Sequence, residues 1–269
     1  MIAETLEEGE AFSFKERGSP AVPVLRVSNV SKSYGHIRAL NDVSLDIYPG
    51  EVVGLVGDNG AGKSSLINII AGAMAPSSGH LSVDGKEVQF SSAFDARMAG
   101  IEAVYQDLAL SLDVDIWANI FLGREIMRAG LLGRLGFLDK AAMQEKATAG
   151  LRRTGIRIGS VNAACRALSG GQRQAVAVAR GLIWGSRLLL LDEPTAALGV
   201  EQQAKVGELI CAVRAEGIPV VLVSHNMPQV HALCDRIIVM FRGSKVVDRD
   251  TKTMSIEDII GSITGVSIK

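Results

Sequence analysis

Residues 52–65 read "VVGLVGDNGAGKSS". The first six are apolar or glycine, a run of the length expected for a fully buried strand. After the loop, "KSSLINIIAGAM" continues as an apolar helix. Between them Gly57-x4-Gly62-Lys63-Ser64 matches the pattern of a phosphate-binding loop in the setting that its mechanism requires, strand before and helix after. Gly57, Asp58, Asn59, Gly60, Ala61 and Gly62 would wrap the phosphates with backbone N–H groups, and Ser65 continues the cradle into the helix. Lys63 would reach the β- and γ-phosphates, and the Ser64 hydroxyl would hold Mg²⁺. At average residue usage the pattern arises by chance in on the order of one chain in a hundred. Its setting lowers that further, and an α/β nucleotide-binding fold follows.

Working outward, "VLRVSNV" and "VSLDIY" read as strands before this loop, and "HLSVDGKEV" after it carries the Asp84–Gly85 signal of a hairpin. From about residue 107 to 180 strand-like runs vanish. "VDIWANIFLG", "KAAMQEKATAGLRRTG" and "GGQRQAVAVARGLI" read as helices. Strands return in "LLLLDEP", "IPVVLVSH" and "RIIVMFRG", with the helix "VEQQAKVGELICAVRAEG" between the first two. The expected fold is a P-loop ATPase core with a mostly parallel sheet, an antiparallel β subdomain and an inserted α-helical subdomain. Its expected divisions are a flexible tail over 1–22, a domain over 23–248 and a C-terminal helical extension over 249–269.

"LLLLDEP" places Asp192 and Glu193 at the end of a second apolar strand. In open α/β sheets, ligands bind outside the carboxyl ends of the strands, so both acids should face the crevice of Lys63. Asp192 would hold Mg²⁺ through its water shell, and Glu193 would orient and deprotonate an attacking water.

A second anion grip appears in "LSGGQ" at 168–172. Ser169 and Gln172 fit a capping box at a helix start. Capping does not explain Gly170 and Gly171, each of which costs up to about 1 kcal/mol relative to alanine inside a helix. They point to a surface that something approaches closely.

The phosphate loop, "LSGGQ", "LLLLDEP" and the "SH" at 224–225, in that order, resemble the ATP-binding subunit of an ABC transporter over roughly residues 24–248. The resemblance implies two copies facing head to tail, with Ser169, Gly170, Gly171 and Gln172 of each closing on ATP held by the other's phosphate loop. It implies that Tyr34 stacks on adenine, that Gln106 senses Mg²⁺ and water and relays their state to the helical lobe, and that His225 contacts the γ-phosphate. "DEPTAALGV" and "DLALSLDVDIWANIFLGRE" are similar to the ATPases of bacterial monosaccharide importers of the ribose, xylose or fructose type. Many family members carry an aspartate where this chain has Gly199, so coupling between the copies is expected to differ. The resemblance further implies membrane permease subunits, an indirect link to a periplasmic sugar-binding protein, and a peripheral place on the cytoplasmic face of the inner membrane. Two alternatives stay open: a soluble ATPase of the same family serving DNA repair or translation, and a nucleotide switch with weak hydrolysis. In the lobe, Ile116, Ile120 and Phe121 fall on one helical face beside Trp117, as a face packed on the core or as a groove for a permease helix.

Composition narrows the classes. A net charge of −1 gives no general affinity for nucleic acid or anionic lipid. No apolar window reaches the length of a membrane span. Cys165, Cys211 and Cys234 lack metal-ligand spacing and are expected to be small buried residues. His36, His80 and His231 belong to no motif.

Overall fold

The structure, a computed structural model, describes residues 22–154, 158–184, 186–196 and 198–266. The expected tail lies almost entirely outside the described residues.

The chain opens with β1 (Leu25–Tyr34), β2 (Ile37–Ile47), β3 (Val52–Gly57) and α1 (Lys63–Ile70). It continues through β4 (Ser78–Val83), β5 (Lys86–Val88), α2 (Ala93–Met98) and β6 (Ile101–Val104). Next come α3 (Ile116–Phe121), α4 (Leu131–Arg134), α5 (Lys140–Arg153) and α6 (Gly170–Ile183). The second half of the core is β7 (Leu188–Asp192), α7 (Val200–Ala215), β8 (Val220–Val223), α8 (Met227–Leu233) and β9 (Arg236–Phe241). β10 (Ser244–Asp250) and α9 (Ile256–Thr264) complete the described chain.

Two sheets result. One is antiparallel, in the order β2-β1-β4-β5, with β4 and β5 joined by the Asp84–Gly85 turn. The other runs β10-β9-β3-β8-β7-β6, parallel except for the edge strand β10. β3 is buried at all six positions and β8 at all four, as strands covered on both faces must be. Four neighbouring parallel strands, β3-β8-β7-β6, therefore present their carboxyl ends side by side.

The helical lobe has its own core. Ile116, Ile120, Phe121, Met143, Ala147, Leu151, Val176 and Ala179 are all buried together. Phe121 packs edge-on to Trp184 at 5.3 Å between ring centroids. This resolves the reading left open for α3: Ile116, Ile120 and Phe121 are at most 1% exposed and face inward, so none of them lines a groove for a partner. Apolar side chains that do reach the surface of the lobe come later, among them Leu122, Leu131 and Leu135.

Cysteine burial departs from expectation at one position. Cys165 and Cys234 are buried, but Cys211 is exposed, because α7 turns that position away from the sheet. Burial pushes the Cys234 thiol far above its usual range.

Phe121→Ala should destabilise the lobe by about 3–5 kcal/mol, the usual cost of emptying a large buried aromatic site. Because the lobe core is separate from the apolar cluster around α1 and β3, nucleotide affinity of the phosphate loop should persist. Denaturant titration and a nucleotide-binding isotherm on the same variant check both statements.

Candidate active site

Each parallel strand delivers its motif at the same edge. β3 ends in Gly57 and feeds the loop to Lys63. β8 ends at Val223, followed by Ser224 and His225. β7 ends in Asp192, paired in register with Val223, and Glu193 follows it. β6 ends at Val104, opposite Leu191, and Gln106 lies two residues on. Four positions far apart in sequence are thus assembled by strand order alone.

The phosphate loop is strained on purpose. Gly62 has φ +101, and a Cβ there would come within 2.6 Å of the Ala39 carbonyl oxygen and 2.8 Å of Leu40, so no larger residue fits. Lys63 is only 7% exposed, and its ammonium donates to the carbonyls of Gly57, at 2.7 Å, and Asp58, at 3.0 Å. Burial lowers its pKa, opposed by the charges of Glu193, Asp192 and Asp58. Asp58, Asn59, Gly60 and Ser64 are exposed, whereas Ala61 is buried beneath them.

The acids sit in the mirror-image situation. Burial pushes the Asp192 carboxyl above the usual carboxylate range, against the pull of Lys63 and His225. Glu193 is raised for the same first reason, against His225 and Lys63. Its Oε1 lies 3.2 Å from His225 Nε2. The Glu193 backbone has φ +52, a left-handed conformation rare for a residue with a Cβ, and its N–H donates to the Val223 carbonyl. That backbone turn aims the carboxylate across β8 toward His225. Half-burial raises the pKa of the Tyr105 hydroxyl, with Arg97 opposing and Asp192 and Asp107 adding to the rise. Gln106 itself is exposed.

Tyr34 ends β1 and is 46% exposed. Its hydroxyl donates to Met74 Sδ at 3.0 Å, and the Lys32 ammonium lies 5.5 Å from the ring centroid.

At the second grip, Ser169 caps α6 and forms a capping box with Gln172: the serine Oγ accepts from the Gln172 N–H, and Gln172 Oε1 accepts from the Ser169 N–H. Both glycines have close neighbours within the chain itself. A Cβ on Gly170 would stand 2.9 Å from Leu198 Cδ2, so that side chain would have to shift, while one on Gly171 would meet Gln202 at an ordinary 3.5 Å. Leu198 and the first turn of α7 therefore pack on the glycines, a contact that separation in sequence hides. Gly199 is the N-cap of α7 and supplies no side-chain cap. An open cleft of about 680 Å³ elsewhere is lined by Arg26, Asp46, Glu51, Arg236 and Asp248, and none of the motif residues reaches it.

Residues 40–196 match the ABC transporter family. Over 245 residues the chain is 46% identical to the fructose import ATP-binding protein of Rhizobium meliloti, covering 90% of this chain and 94% of that one. This chain belongs to the ABC transporter family. The cassette is also 43% identical to the xylose/arabinose import ATP-binding protein of Sulfolobus acidocaldarius, over 91% of its own length and 95% of the relative's. Against a ribose import ATP-binding protein of Streptomyces coelicolor it is 38% identical, covering 91% of this chain but 47% of the longer relative. Among solved structures, cbiO1 of Clostridium perfringens, part of an ABC transporter complex, matches with a TM-score of 0.75 at 26% identity, over 91% of this chain and 96% of that one. A dimeric ATP-binding cassette bound to ADP and Pi matches with a TM-score of 0.70 at 27% identity, over 84% and 98%. The fold is thus that of an ABC ATPase.

The raised Glu193 carboxyl has a measurable consequence. The folded cassette holds that proton more tightly than the unfolded chain does, so stability attached to it is present at low pH and lost as pH rises through the folded-state value. Glu193→Gln should raise the melting temperature at pH 8, and the gain should shrink toward pH 4. An equal shift at both pH values would contradict the assignment of burial as the cause.

Proposed function

We propose that this cassette energises uptake of a monosaccharide through a membrane permease, working as a pair of copies that encloses two MgATP between them. Support for sugar uptake comes from near-full-length likeness to relatives named for fructose and for xylose/arabinose import. The observation that carries the catalytic part is the row of Lys63, His225, Glu193, Asp192 and Gln106 along four adjoining strand ends.

In this reading Tyr34 stacks on adenine, a contact worth about 1–3 kcal/mol per base. Residues 57–65 wrap the phosphates, and Lys63 exchanges its two backbone carbonyls for β- and γ-phosphate oxygens. Two half-buried acids above their usual range, with Lys63 already engaged, form a site short of positive charge. Among the described residues no three His, Cys, Asp or Glu converge to make a dedicated metal cage. That suits Mg²⁺, which arrives with nucleotide and keeps waters and phosphate oxygens among its ligands. Ser64, Gln106 and Asp192 would hold it, and the ion would neutralise charge on the transferring phosphoryl group. Glu193 orients and deprotonates the attacking water, and His225 holds the γ-phosphate while steadying the Glu193 carboxylate.

Ser169, Gly170, Gly171 and Gln172 serve the nucleotide of the neighbouring copy. An N-capped helix start with exposed Ser169 offers backbone donors to an anion that arrives from outside. Among the described residues no helix is long and apolar enough to cross a membrane. Membrane attachment in this reading comes through permease subunits on the cytoplasmic face, and a periplasmic sugar-binding protein acts on the far side. Gly199 removes an acid from the contact between copies and leaves α7 uncapped by a side chain.

Glu193→Gln should bind ATP with unchanged affinity and hydrolyse it about 10²–10⁴ times more slowly, the usual worth of a positioned base. Lys63→Ala should lose nucleotide binding itself. Phosphate release and a nucleotide titration read the two effects apart, and full turnover in the glutamine variant would remove Glu193 from the base role.

A further inference from the structure

Behind the proposed site lies a buried charge cluster that the reaction does not use. Glu102, on β6, is 5% exposed, and its Oε1 lies 2.8 Å from Arg124 Nη2 just past α3. Neither of these two atoms has another hydrogen-bond partner. The Arg124 guanidinium also sits 5.0 Å over the ring of Trp184, the C-cap of α6, and Trp184 Nε1 donates to the Ile120 carbonyl at 3.4 Å. Arg97 and Arg180 add their charges to the field at Glu102.

Arg180 makes the second link. It lies on α6, and its Nη1 donates at 3.4 Å to the carbonyl of Ala109, three residues after Gln106. Leu108 and Ala109 both have positive φ, +57 and +44, without being glycine. Two consecutive left-handed residues with a Cβ are costly and persist only where their surroundings hold them. α6 also packs tightly on the strand: a Cβ on Gly181 would lie 3.5 Å from Glu102 Cβ.

Three elements therefore meet at one carboxylate. The strand beneath it runs to Gln106, the helix beside it starts at Ser169, and the arginine across from it follows α3 of the lobe. A buried apolar contact would hold these parts together equally well, while an ion pair fixes a particular geometry and has discrete broken and formed states. We propose that Glu102 is a positioning residue that ties Gln106 to the helix bearing the 168–172 turn, through Arg124 and Arg180. In this arrangement the state of one copy's own ATP is carried to the grip that the same copy extends toward its neighbour's ATP. The inference rests on the proposed roles of Gln106 and Ser169, and it extends them to residues outside every motif of the sequence.

The test uses the full chain with Glu102→Gln, Arg124→Gln, the double variant and Arg124→Lys. For each, kcat, the ATP dissociation constant and the melting temperature are measured. In Glu102→Gln, kcat should fall about three- to tenfold, the scale on which linked networks modulate coupling, with the ATP dissociation constant changed less than twofold. The double variant should be no slower than the slower single one, because both break the same link. Arg124→Lys, which keeps the charge, should recover most of the activity that Arg124→Gln loses. Unchanged kcat in folded Glu102→Gln, a loss matched by weakened ATP binding, or additive losses in the double variant would overturn the proposal. Should Glu102→Gln fail to fold, equal kcat in Arg124→Lys and Arg124→Gln overturns it alone. Failure of the underlying reading would look different: the unaltered chain would not hydrolyse ATP, or Glu193→Gln would leave hydrolysis intact.

Discussion

Charges drawn out of water at one edge of a parallel sheet organise this molecule. Lys63, Asp192 and Glu193 are each shifted toward neutrality by burial, the lysine partly restored by the acids and the acids by Lys63 and His225. Such a cluster is poorly satisfied on its own, with Lys63 resting on backbone carbonyls and Glu193 leaning on His225. A ligand that brings both anionic oxygens and a divalent cation satisfies all of them together. Strand order makes this possible, since the strands lie side by side as β3-β8-β7-β6 although the chain visits them as β3, β6, β7, β8.

The helical lobe adds a second demand. Its core is independent of the sheet's, yet its longest apolar helix, α6, begins at an exposed serine and ends against the charge cluster of Glu102 and Arg124. A helix of 14 residues is about 21 Å long at 1.5 Å per residue. It is therefore stiff enough for what happens at one end to be felt at the other. The packing of Leu198 and Gln202 on Gly170 and Gly171 joins the strand-end acids to the same helix start. In the proposed reading each copy thus carries a nucleotide grip and, at the start of α6, a second surface suited to gripping something else.

What could be read from sequence was what depends on neighbours in the chain. The phosphate loop, the Ser169–Gln172 capping box, the Asp84–Gly85 turn and the apolar strands were all legible, because backbone conformation and capping act within a few residues. The parallel sheet was legible from the alternation of strands and helices, but the order of its strands was not, because it depends on which distant segments pair. Contacts between distant segments were not. Nothing in "GIEAVYQ" announces that Glu102 meets Arg124, and nothing in "AALG" shows that Leu198 covers Gly170. The left-handed backbone at Glu193 has no marker either, since glutamate gives no sign of adopting it. Cys211 was misjudged because burial of a residue on α7 depends on which side of the helix meets the sheet. α3 left its face undecided for the same reason, until packing placed Ile116, Ile120 and Phe121 inside.

The account stands on nucleotide being shared by two molecules, and mixing two disabled variants tests this most directly. Lys63→Ala destroys the phosphate loop, and a Ser169→Arg variant blocks the turn at the start of α6. Combined in one solution with exchange of partners, they form mixed pairs in which one shared site has both parts intact. Two preparations inactive alone should recover ATP hydrolysis on mixing. Hydrolysis that stays absent in mixed pairs shown to form would mean that each copy must complete its own site, and the central claim would be wrong.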